Sequence, residues 1–535
     1  MAQHDKRPSL KLGIAIDSLM QPRWVRKSIE DFLATGICTI DLVVRLPTET
    51  KHNSVLLNLY NRVDQRLYLR MPDAAELVGI HDLIDTLPSL DPESDKLKDF
   101  NLDVVINWGL HEWNPKLASA AKHGVWFYVF GRDDNLMPGV REIFEQDAII
   151  VSSVRCVRGS RTETGLVYQC VAPTLSKFSA QLNNNETYWK AAPFLARGLV
   201  DLYNSRQRDF DSVLMGPNGF ARQPADFSMV QLFGRLSSRA AARVVEKISK
   251  FEQWVLAYRL KQNQFRYLIP PADRFWADPF PLKVEDKYYI FFEDFVRQVD
   301  RGHISVIEVD QQGIVNGPTE VLKFDTHLSY PFVFEWQGEY YMVPETGAKN
   351  VVELYRSSSF PYSWEPVTTL LEARCPLDAT IIQVSGTWWM FVNIQEDGVA
   401  FNWDELHLYY SESLFGPWKS HPRNPVVSDV RSARPAGRLF WSNDVLYRPS
   451  QDSSRGYGYA TTINKITRLT PNEYSETAVG KILPSWDKDI CGVHTVNVLD
   501  DITVIDCLTK RTRLMKRELS SPAGVEIVDT LLSTT

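Results

Sequence analysis

Residues 278–293, DPFPLKVEDKYYIFFE, carry the pattern that decides the fold of the C-terminal half of the chain. An apolar strand, a turn with two acidic residues and an aromatic second strand are typical of a β-hairpin. Four similar segments follow: YPFVFEWQGEYYMVPE from 330, DATIIQVSGTWWMFVN from 378, PAGRLFWSNDVLYRPS from 435 and HTVNVLDDITVID from 494. Their starts are 52, 48, 57 and 59 residues apart, with further short strands in each interval. This repeat predicts a five-bladed β-propeller over residues 266–535, whereas a two-sheet sandwich would not explain the repeated motif.

The same repeat predicts which side chains share one mouth of the propeller. The first strand of each blade lies nearest the axis and the second runs back, so the start of one and the end of the other meet. The first-strand starts are Asp278, Tyr330, Asp378, Arg434 with Pro435, and His494, and the second-strand ends are Glu293, Glu345, Asn393, Gln451 with Asp452, and Asp506. Titratable groups that converge in a concavity are where pKa values are tuned, so we expect a functional cleft.

Several of these residues also have simpler interpretations. His327 precedes the second repeat, where it is either a turn residue or a partner for sugar hydroxyls. Arg434, Arg448 and His494 either neutralise nearby acids or bind an anion such as phosphate or uronate. Gln451 lies after a proline, where a structural turn competes with substrate binding. The neighbouring Trp388 and Trp389 are expected in the core rather than as a sugar platform.

The first 210 residues predict an α/β domain. KLGIAID (11–17) reads as a buried strand, VRKSIEDFLATG (25–36) as a helix closed by a glycine, and IDLVVRL (40–46) as the next strand, with further strands at 102–109 and 124–131. This alternation indicates an open parallel, Rossmann-like sheet. The chain contains neither a GxGxxG nor a GxxxxGK[ST] motif, so the sheet implies no nucleotide.

Residues 211–265 are predicted to be a basic amphipathic helical linker. Between 226 and 264, apolar residues recur at helical spacing, and Arg235, Arg239, Arg243, Lys247 and Lys250 follow one another every three or four residues. A connecting helix with a solvated charged face is one interpretation. Peripheral contact with an anionic membrane through residues 235–250 is the other.

Composition narrows the classes of function. The chain has 535 residues, 44% of them hydrophobic, and a net charge of −7 that predicts no nucleic-acid partner. Its six cysteines show no metal-ligand spacing, so no metal is predicted, and a reduced, cytoplasmic location is expected, at most peripheral at the inner membrane face. The N-terminus lacks the apolar core of a secretory signal.

The N-terminal region resembles the catalytic domain of formyltransferases that use a formyl-folate donor. The resemblance rests on LDVVINWGLHEWNPKLASAAKHGVWFYVFGR from 102 and on TETGLVYQC from 162, where such enzymes place a strand after an ETG turn. The family's Asn-x-His pair corresponds to Phe127 and Val129, and its later Asp is missing. Since Phe and Val neither transfer protons nor bind an oxyanion, the resemblance implies the fold without formyl transfer and without a formyl-folate cofactor.

The propeller resembles the five-bladed glycoside hydrolases of family 43 in WADPF (276–280) and in Asp378 one hundred residues after Asp278. The resemblance implies Asp278 as general base and Asp378 as the residue that orients the acid. The Glu that this family uses as general acid at the start of blade four is replaced by Arg434 and Pro435, so Glu345 or Glu293 would have to supply the proton.

A closer resemblance covers residues 270–520. HLSYPFVFEWQGEYYMVPET, LYRPSQD and GVHTVN are similar to the N-terminal propeller of plant glucosamine inositolphosphorylceramide transferases and of bacterial proteins joined to a formyltransferase-like domain. This implies a carbohydrate or glycolipid substrate. We therefore expect glycosyl cleavage or transfer at the mouth, catalysed by Asp278, Asp378 and Glu345. A non-catalytic glycan-binding module and a phosphate-using glycan enzyme are the alternatives.

Overall fold

The computed structural model describes residues 7–47, 55–108, 114–131, 139–159, 165–206, 231–239, 250–261, 263–310, 313–395, 403–512, 519–520 and 525. The chain divides into two compact units. One contains the described residues up to Ser238 and the other those from Arg239 onward. Among the described residues, no helix combines the length and the apolar composition needed to cross a membrane.

The first unit is an α/β sandwich around one seven-stranded sheet. Its strands are β1 (Leu10–Ile16), β2 (Met20–Pro22), β3 (Cys38–Arg45), β4 (Leu77–Gly79), β5 (Ser89–Leu90), β6 (Val104–Asn107), β7 (Val125–Phe130), β8 (Ile149–Val157) and β9 (Gly165–Pro173). Its helices are α1 (Arg23–Ala34), α2 (Val55–Tyr68), α3 (His81–Ile84), α4 (Pro115–Ser119), α5 (Val140–Glu145), α6 (Ala180–Ala191) and α7 (Phe194–Tyr203), and a further helix covers 231–239. The sheet order is β5-β3-β1-β6-β7-β8-β9, and β2 pairs only with β4.

The sheet is mixed rather than parallel throughout, which corrects the sequence-based expectation. β5, β3, β1, β6 and β7 are parallel, whereas β8 and β9 are antiparallel additions at one edge. β8 and β9 follow each other closely along the chain, and such a hairpin connection permits only antiparallel pairing. The predicted βαβ unit at the N-terminus is confirmed, with Gly36 in a left-handed conformation (φ 68°) directly after α1.

The segment that was predicted to continue the helical linker instead forms a strand. β10 (Lys250–Leu260) and β11 (Arg266–Leu268) pair with each other and belong to the propeller. The sequence suggested a helix because β10 is buried on both faces and so lacks the alternation of a surface strand. Residues 240–249 of the linker lie outside the described residues.

The five-bladed propeller is confirmed. Blade one comprises β12 (Arg274–Val284), β13 (Lys287–Val296), β14 (Arg301–Val309) and β15 (Ile314–Leu322), and blade two β16 (Ser329–Trp336), β17 (Glu339–Glu345), β18 (Val351–Ser359) and β19 (Ser363–Glu372). Blade three comprises β20 (Leu377–Val384), β21 (Thr387–Asn393), β22 (Glu405–Ser411), β23 (Lys419–Ser420) and β24 (Val427–Ser428). Blade four comprises β25 (Phe440–Ser442), β26 (Val445–Asp452), β27 (Ala460–Leu469) and β28 (Tyr474–Ile482).

Blade five combines the two ends of the propeller sequence. Its inner strands are β29 (Ile490–Gly492) and β30 (Val496–Leu499), followed by β31 (Ile502–Thr512), and its outer strands are β10 and β11. β10 pairs with β31 along its whole length, from Lys250 with Thr512 to Leu260 with Ile502. Alternate side chains of β10 pack on opposite sides of the strand. Val255 belongs to an apolar cluster with residues of blade four, and Leu256 belongs to one with residues of blade one. The ring is therefore closed by hydrogen bonds and by apolar packing on both sides of one strand.

The inner hairpin of every blade turns in the same way. Two residues connect the paired strand ends, and the first of them has a positive φ: Glu285, Gln337, Ser385, Asn443 and Asp500. Such two-residue turns match the twist of the strands and fix their register. The register determines which side chains reach the opposite end, where the predicted mouth lies.

Candidate functional site

A shared β-bulge places the first residue of blades one, two and three at the mouth. In blade one the register passes from Ala277 opposite Glu293 to Phe280 opposite Phe291, so one extra residue is inserted. The same insertion follows Ser329 in blade two and Leu377 in blade three. The bulged residues Asp278, Tyr330 and Asp378 have φ values of 50°, 44° and 53°. Left-handed backbone at residues that are not glycine is strained, and bulges of this kind re-aim side chains beside functional sites.

The mouth contains a cavity of about 210 Å³. Its lining combines acidic, basic and aromatic side chains: Trp254, Phe275, Ala277, Asp278, Glu293, Phe295, His327, Ser329, Glu345, Arg434, Tyr457 and His494. Six of the predicted site residues therefore reach one cavity, namely Asp278, Glu293, His327, Glu345, Arg434 and His494. Seven of the lining side chains are polar or charged and four are aromatic, and convergent polar groups beside aromatic rings in a concavity suit a small polar ligand.

Asp278 is held in one orientation by its neighbours. Thr495 Oγ1 donates to Oδ1 at 2.8 Å and the amide of Tyr330 donates to Oδ2 at 3.3 Å, while His494 Nε2 lies 3.4 Å from Oδ1. Burial raises the pKa of Asp278 to about 6; the positive charge of His494 opposes this, and the carboxylates of Asp378 and Asp506 add to it. A carboxyl with this pKa can accept a proton near neutral pH.

Asp378, predicted as a catalytic residue, does not line the cavity itself but orients Arg434, which does. Arg434 Nε donates to Asp378 Oδ2 at 2.5 Å, and Nη2 lies 3.7 Å from Glu345 Oε2. Burial, followed by the carboxylate of Asp378 and a hydrogen bond to it, raises the pKa of Glu345 well above its ordinary value despite the guanidinium nearby. A protonated Glu345 is thus available at the mouth as a proton donor.

Glu293 is a second buried acid in the same cavity. Its pKa is raised by burial first and then by the negative charges of Asp278 and Glu345. His327 Nε2 lies 3.5 Å from Glu293 Oε1, and His327 Nδ1 accepts the amide hydrogen of Gly302 at 2.9 Å. Burial lowers the pKa of His327, which favours the neutral imidazole. The pair therefore offers a protonated acid and a neutral hydrogen-bonding ring to a bound molecule.

His494 and Asp506 support Asp278 from blade five. Asp506 accepts the amide hydrogens of Asp278, His494 and Thr495, and His494 Nδ1 lies 2.7 Å from Asp506 Oδ2. Burial favours neutral His494, but the carboxylates of Asp506 and Asp278 outweigh it and raise its pKa. Donor atoms of Asp278, His494 and Asp506 lie within 4.8 Å of one another, the spacing of a metal site. Because these atoms already bind one another and the backbone, we assign the group to the positioning of Asp278.

Four predicted substrate-binding residues do not line the cavity: Asp506, which supports Asp278, and Tyr330, Gln451 and Arg448. The hydroxyl of Tyr330 lies 2.8 Å from Thr380 Oγ1 and accepts the amide hydrogen of Gly437, so the ring belongs to the propeller core. Gln451 Nε2 donates to Asp378 Oδ2 at 3.3 Å. Arg448 is fully buried within blade four, where its guanidinium pairs with Glu476 at 2.6 Å. The buried pair explains Arg448 without a ligand, and Trp388 and Trp389 are core residues as predicted.

Aromatic residues of the mouth were missed by the sequence reasoning. Trp254, from β10, packs against His494 with ring centroids 4.2 Å apart and the ring planes tilted by 36°. The ring of Tyr457 faces the guanidinium of Arg434 at 5.0 Å and remains 39% exposed. Trp254 lies in the segment read as a helix and Tyr457 in a loop outside the repeat, so the repeat alignment contained no signal for them.

The cations at the mouth are already neutralised. Arg434 pairs with Asp378, and His494 pairs with Asp506. A phosphate at this site would therefore compete with internal carboxylates for each positive group and lie beside Asp278 and two further acids. The arrangement favours a neutral, hydroxyl-rich ligand over an anionic one.

The fold and the site define a class: a five-bladed propeller with carboxylates at one mouth, in a chain that also has an α/β unit. The family model described as glucosamine inositolphosphorylceramide transferase 1, N-terminal, matches residues 269–492. The rice protein (Oryza sativa subsp. japonica) named glucosamine inositolphosphorylceramide transferase 1 is 38% identical over 269 residues, which cover 49% of this chain and 34% of the rice protein. The Arabidopsis thaliana protein of the same name is 35% identical over 208 residues, 38% of this chain and 27% of that protein. The chain thus spans about a third of the length of the curated relatives it matches.

Solved structures of glycoside hydrolases also align with the chain. A family 117 glycoside hydrolase of Zobellia galactanivorans aligns with 14% identity and a TM-score of 0.32, over 52% of this chain and 98% of the hydrolase. The Cellvibrio cellulosa α-L-arabinanase in complex with arabinohexaose aligns with 13% identity and a TM-score of 0.31, over 48% of this chain and 98% of the arabinanase.

Proposed function

We propose that this chain acts in glycan or glycolipid metabolism and that the propeller mouth catalyses glycosyl cleavage or transfer. The observation that carries the proposal is the convergence of Asp278, Glu293 and Glu345 on one cavity with aromatic walls. The likeness of the propeller to proteins named as glucosamine inositolphosphorylceramide transferases supports a sugar-bearing lipid as substrate class.

The proposed roles follow from the environments of the carboxyl groups. Asp278, with its pKa of about 6, takes the proton from the attacking water or acceptor hydroxyl. Glu345, kept protonated by burial beside Asp378, gives its proton to the departing glycosidic oxygen. Asp378 positions Glu345 through Arg434, and Glu293 and His327 bind sugar hydroxyls. Turnover is then expected to rise with pH through about 6, as Asp278 ionises, and to fall when Glu345 loses its proton.

The test uses the full chain with a panel of glycans, glycolipids and sugar nucleotides. Asp278→Asn and Glu345→Gln are compared with Asp286→Asn, which changes an exposed carboxyl at the far turn of the same hairpin. We expect the two mouth variants to lose at least about a hundredfold in turnover while binding persists, because removal of a general acid or base costs that much. The control variant should behave like the parent.

A non-catalytic glycan-binding propeller is the second candidate, since the carboxylates of Asp378 and Asp506 are engaged in internal ion pairs with Arg434 and His494. Calorimetric binding without product formation by the parent chain would assign the mouth to recognition. Neither binding nor turnover for any sugar would overturn both proposals.

We also infer that the α/β unit is a formyltransferase-like scaffold that does not transfer formyl groups. β9 begins at Gly165, the last residue of the ETG motif, and Phe127 and Val129, which correspond to the family's Asn-x-His pair, lie on β7. No proton-transferring side chain stands at these two positions. Incubation with 10-formyl-tetrahydrofolate and amino sugars should give no formylated product, and formation of one would refute the inference.

The cytoplasmic location and a membrane contact through residues 235–250 remain predictions. Residues 240–249 lie outside the described residues. Arg235 is engaged within its own unit, because its guanidinium donates to the carbonyl of Phe144 at 2.7 Å and faces that ring. Fractionation of cells into soluble and membrane pools tests the location directly.

A further inference from the structure

Helix α2 of the α/β unit carries apolar side chains on its exposed side as well as on its buried side. Its inner side packs into a core through Leu57 and Tyr60, which are 0% and 5% exposed, together with Leu232 of the 231–239 helix. The outer side of a surface helix is expected to be polar throughout. In α2 polar residues share the outer side with several apolar ones.

An apolar stripe runs along the outer side of α2. Val55, Leu59, Val63 and Leu67 are 75%, 52%, 50% and 69% exposed. Residues four apart are neighbours on a helix, so these side chains form a continuous line about 18 Å long. Leu69 and Met71, 42% and 73% exposed, extend the apolar surface beyond the end of the helix. Scattered exposed apolar residues need no explanation, whereas a line of them indicates an interaction surface.

The exposed charged residues between 55 and 72 are all positive. Arg62, Arg66 and Arg70 are exposed, with the first two directly preceding Val63 and Leu67. The sole acidic residue between 55 and 72 is Asp64, which is 4% exposed and accepts the amide hydrogen of Gln181 at 2.8 Å. Arg70 Nη1 lies 3.9 Å from Glu186 Oε1, but the Arg70 side chain remains 54% exposed. The outer surface of α2 therefore combines apolar and positively charged side chains with the uncharged Asn58, Asn61 and Gln65.

We propose that the outer surface of α2, from Val55 to Met71, binds a lipid bilayer that contains anionic lipids. Apolar side chains inserted between the headgroups, with guanidinium groups beside lipid phosphates, are the contacts of an interfacial helix. A second copy of the chain fits less well. A symmetric dimer would place this surface against itself and bring the arginines of both copies together.

The proposal is tested by co-sedimentation of the full chain with vesicles of phosphatidylcholine alone and of phosphatidylcholine with phosphatidylserine. One variant combines Leu59→Gln with Val63→Gln, and a second combines Arg62→Gln with Arg66→Gln. The matched control is Ile314→Gln, because Ile314 is 53% exposed, like Leu59, but lies on a strand of the propeller. Far-UV circular dichroism confirms that each variant is folded.

We expect binding to the anionic vesicles that weakens as salt is added, with each double variant reducing the bound fraction at least about tenfold and Ile314→Gln leaving it unchanged. Equal binding to both vesicle types, or binding that the double variants do not affect, would overturn the proposal. The proposal would also be overturned if sedimentation analysis showed that the parent chain is a dimer and that Leu59→Gln/Val63→Gln is not. The surface would then serve self-association. Sugar binding at the mouth is measured on the same variants and should not change, which keeps this result separate from the proposed function.

Discussion

The carboxyl group of Glu293 is buried at the mouth among other acids, where its ionised form is unfavourable. Its raised pKa means that ionisation is easier in the unfolded chain, where a Glu titrates near about 4.3. The unfolded state therefore binds fewer protons than the folded state above that pH, and the free energy of unfolding falls as the pH rises. Stability associated with Glu293 is present in acid and lost toward neutral pH.

Glu293→Gln should consequently stabilise the protein at pH 7, by an amount on the order of 1 kcal/mol, and have little effect near pH 4. Thermal unfolding at both pH values measures the difference. Glu339→Gln, at an exposed site beside the far turn of blade two, is the control and should change neither value. A loss of stability at pH 7 in Glu293→Gln would show that the ionised group is stabilising after all.

The pair of Arg434 and Asp378 predicts a large energetic coupling. Both side chains are buried, at 6% and 1% exposure, and joined at 2.5 Å, so either partner left alone is an uncompensated charge. Arg434→Met or Asp378→Asn alone should cost about 3–5 kcal/mol, and the double variant clearly less than the sum. Urea unfolding of the four proteins gives the coupling. The same cycle on Arg468 and Glu473, an exposed pair at 3.1 Å, should give about 0–1 kcal/mol, and equal coupling in the two cycles would contradict the prediction.

Among the elements, the approach of blade four to blade five depends on Gly437. Its φ is 130°, and a Cβ at this position would lie 2.2 Å from the carbonyl oxygen of Val496. Gly437→Ala should therefore cost several kcal/mol, about 3 or more, through backbone strain and displacement of β30. Gly338→Ala, at a turn with φ 78° and open space around the Cβ, isolates the conformational part and should cost about 1 kcal/mol. Chemical denaturation measures the free energy of unfolding of both variants. Similar losses in the two would mean that blade five can move to accommodate the added Cβ.

The inner hairpins were predictable from the sequence, and the outer strands of blade five were not. The repeat aligned Asp278, Tyr330 and Asp378 because each inner hairpin must meet the same axis, and the structure gives all three the same bulge. β10 has no repeat of its own and is buried on both sides, so its pattern does not distinguish a strand from a helix. The partner of each carboxyl could not be predicted either, since pairs such as Arg434 with Asp378 join blades whose packing only the three-dimensional fold defines.

At the scale of the whole molecule, the propeller includes a strand, β10, that lies N-terminal to the first sequence repeat. A fragment that begins at residue 266 lacks β10 and leaves β31 and β11 without their shared partner. We expect residues 266–535 to aggregate or to unfold without cooperativity, while residues 240–535 give a cooperative transition and intact near-UV circular dichroism. Cooperative unfolding of the shorter fragment would show that blade five closes without β10.

The closure of blade five has a consequence for the order in which the chain is made. About 240 residues separate Leu260 from its partner Ile502, so a ribosome that releases the chain from its N-terminus exposes β10 long before β31 exists. The strand synthesised first in the propeller can pair with β11 at once but receives its long partner β31 last. Until β31 is made, the edge of β10 that pairs with it stays open and Val255 lacks its partners in blades four and five, the kind of exposed apolar strand that chaperones recognise.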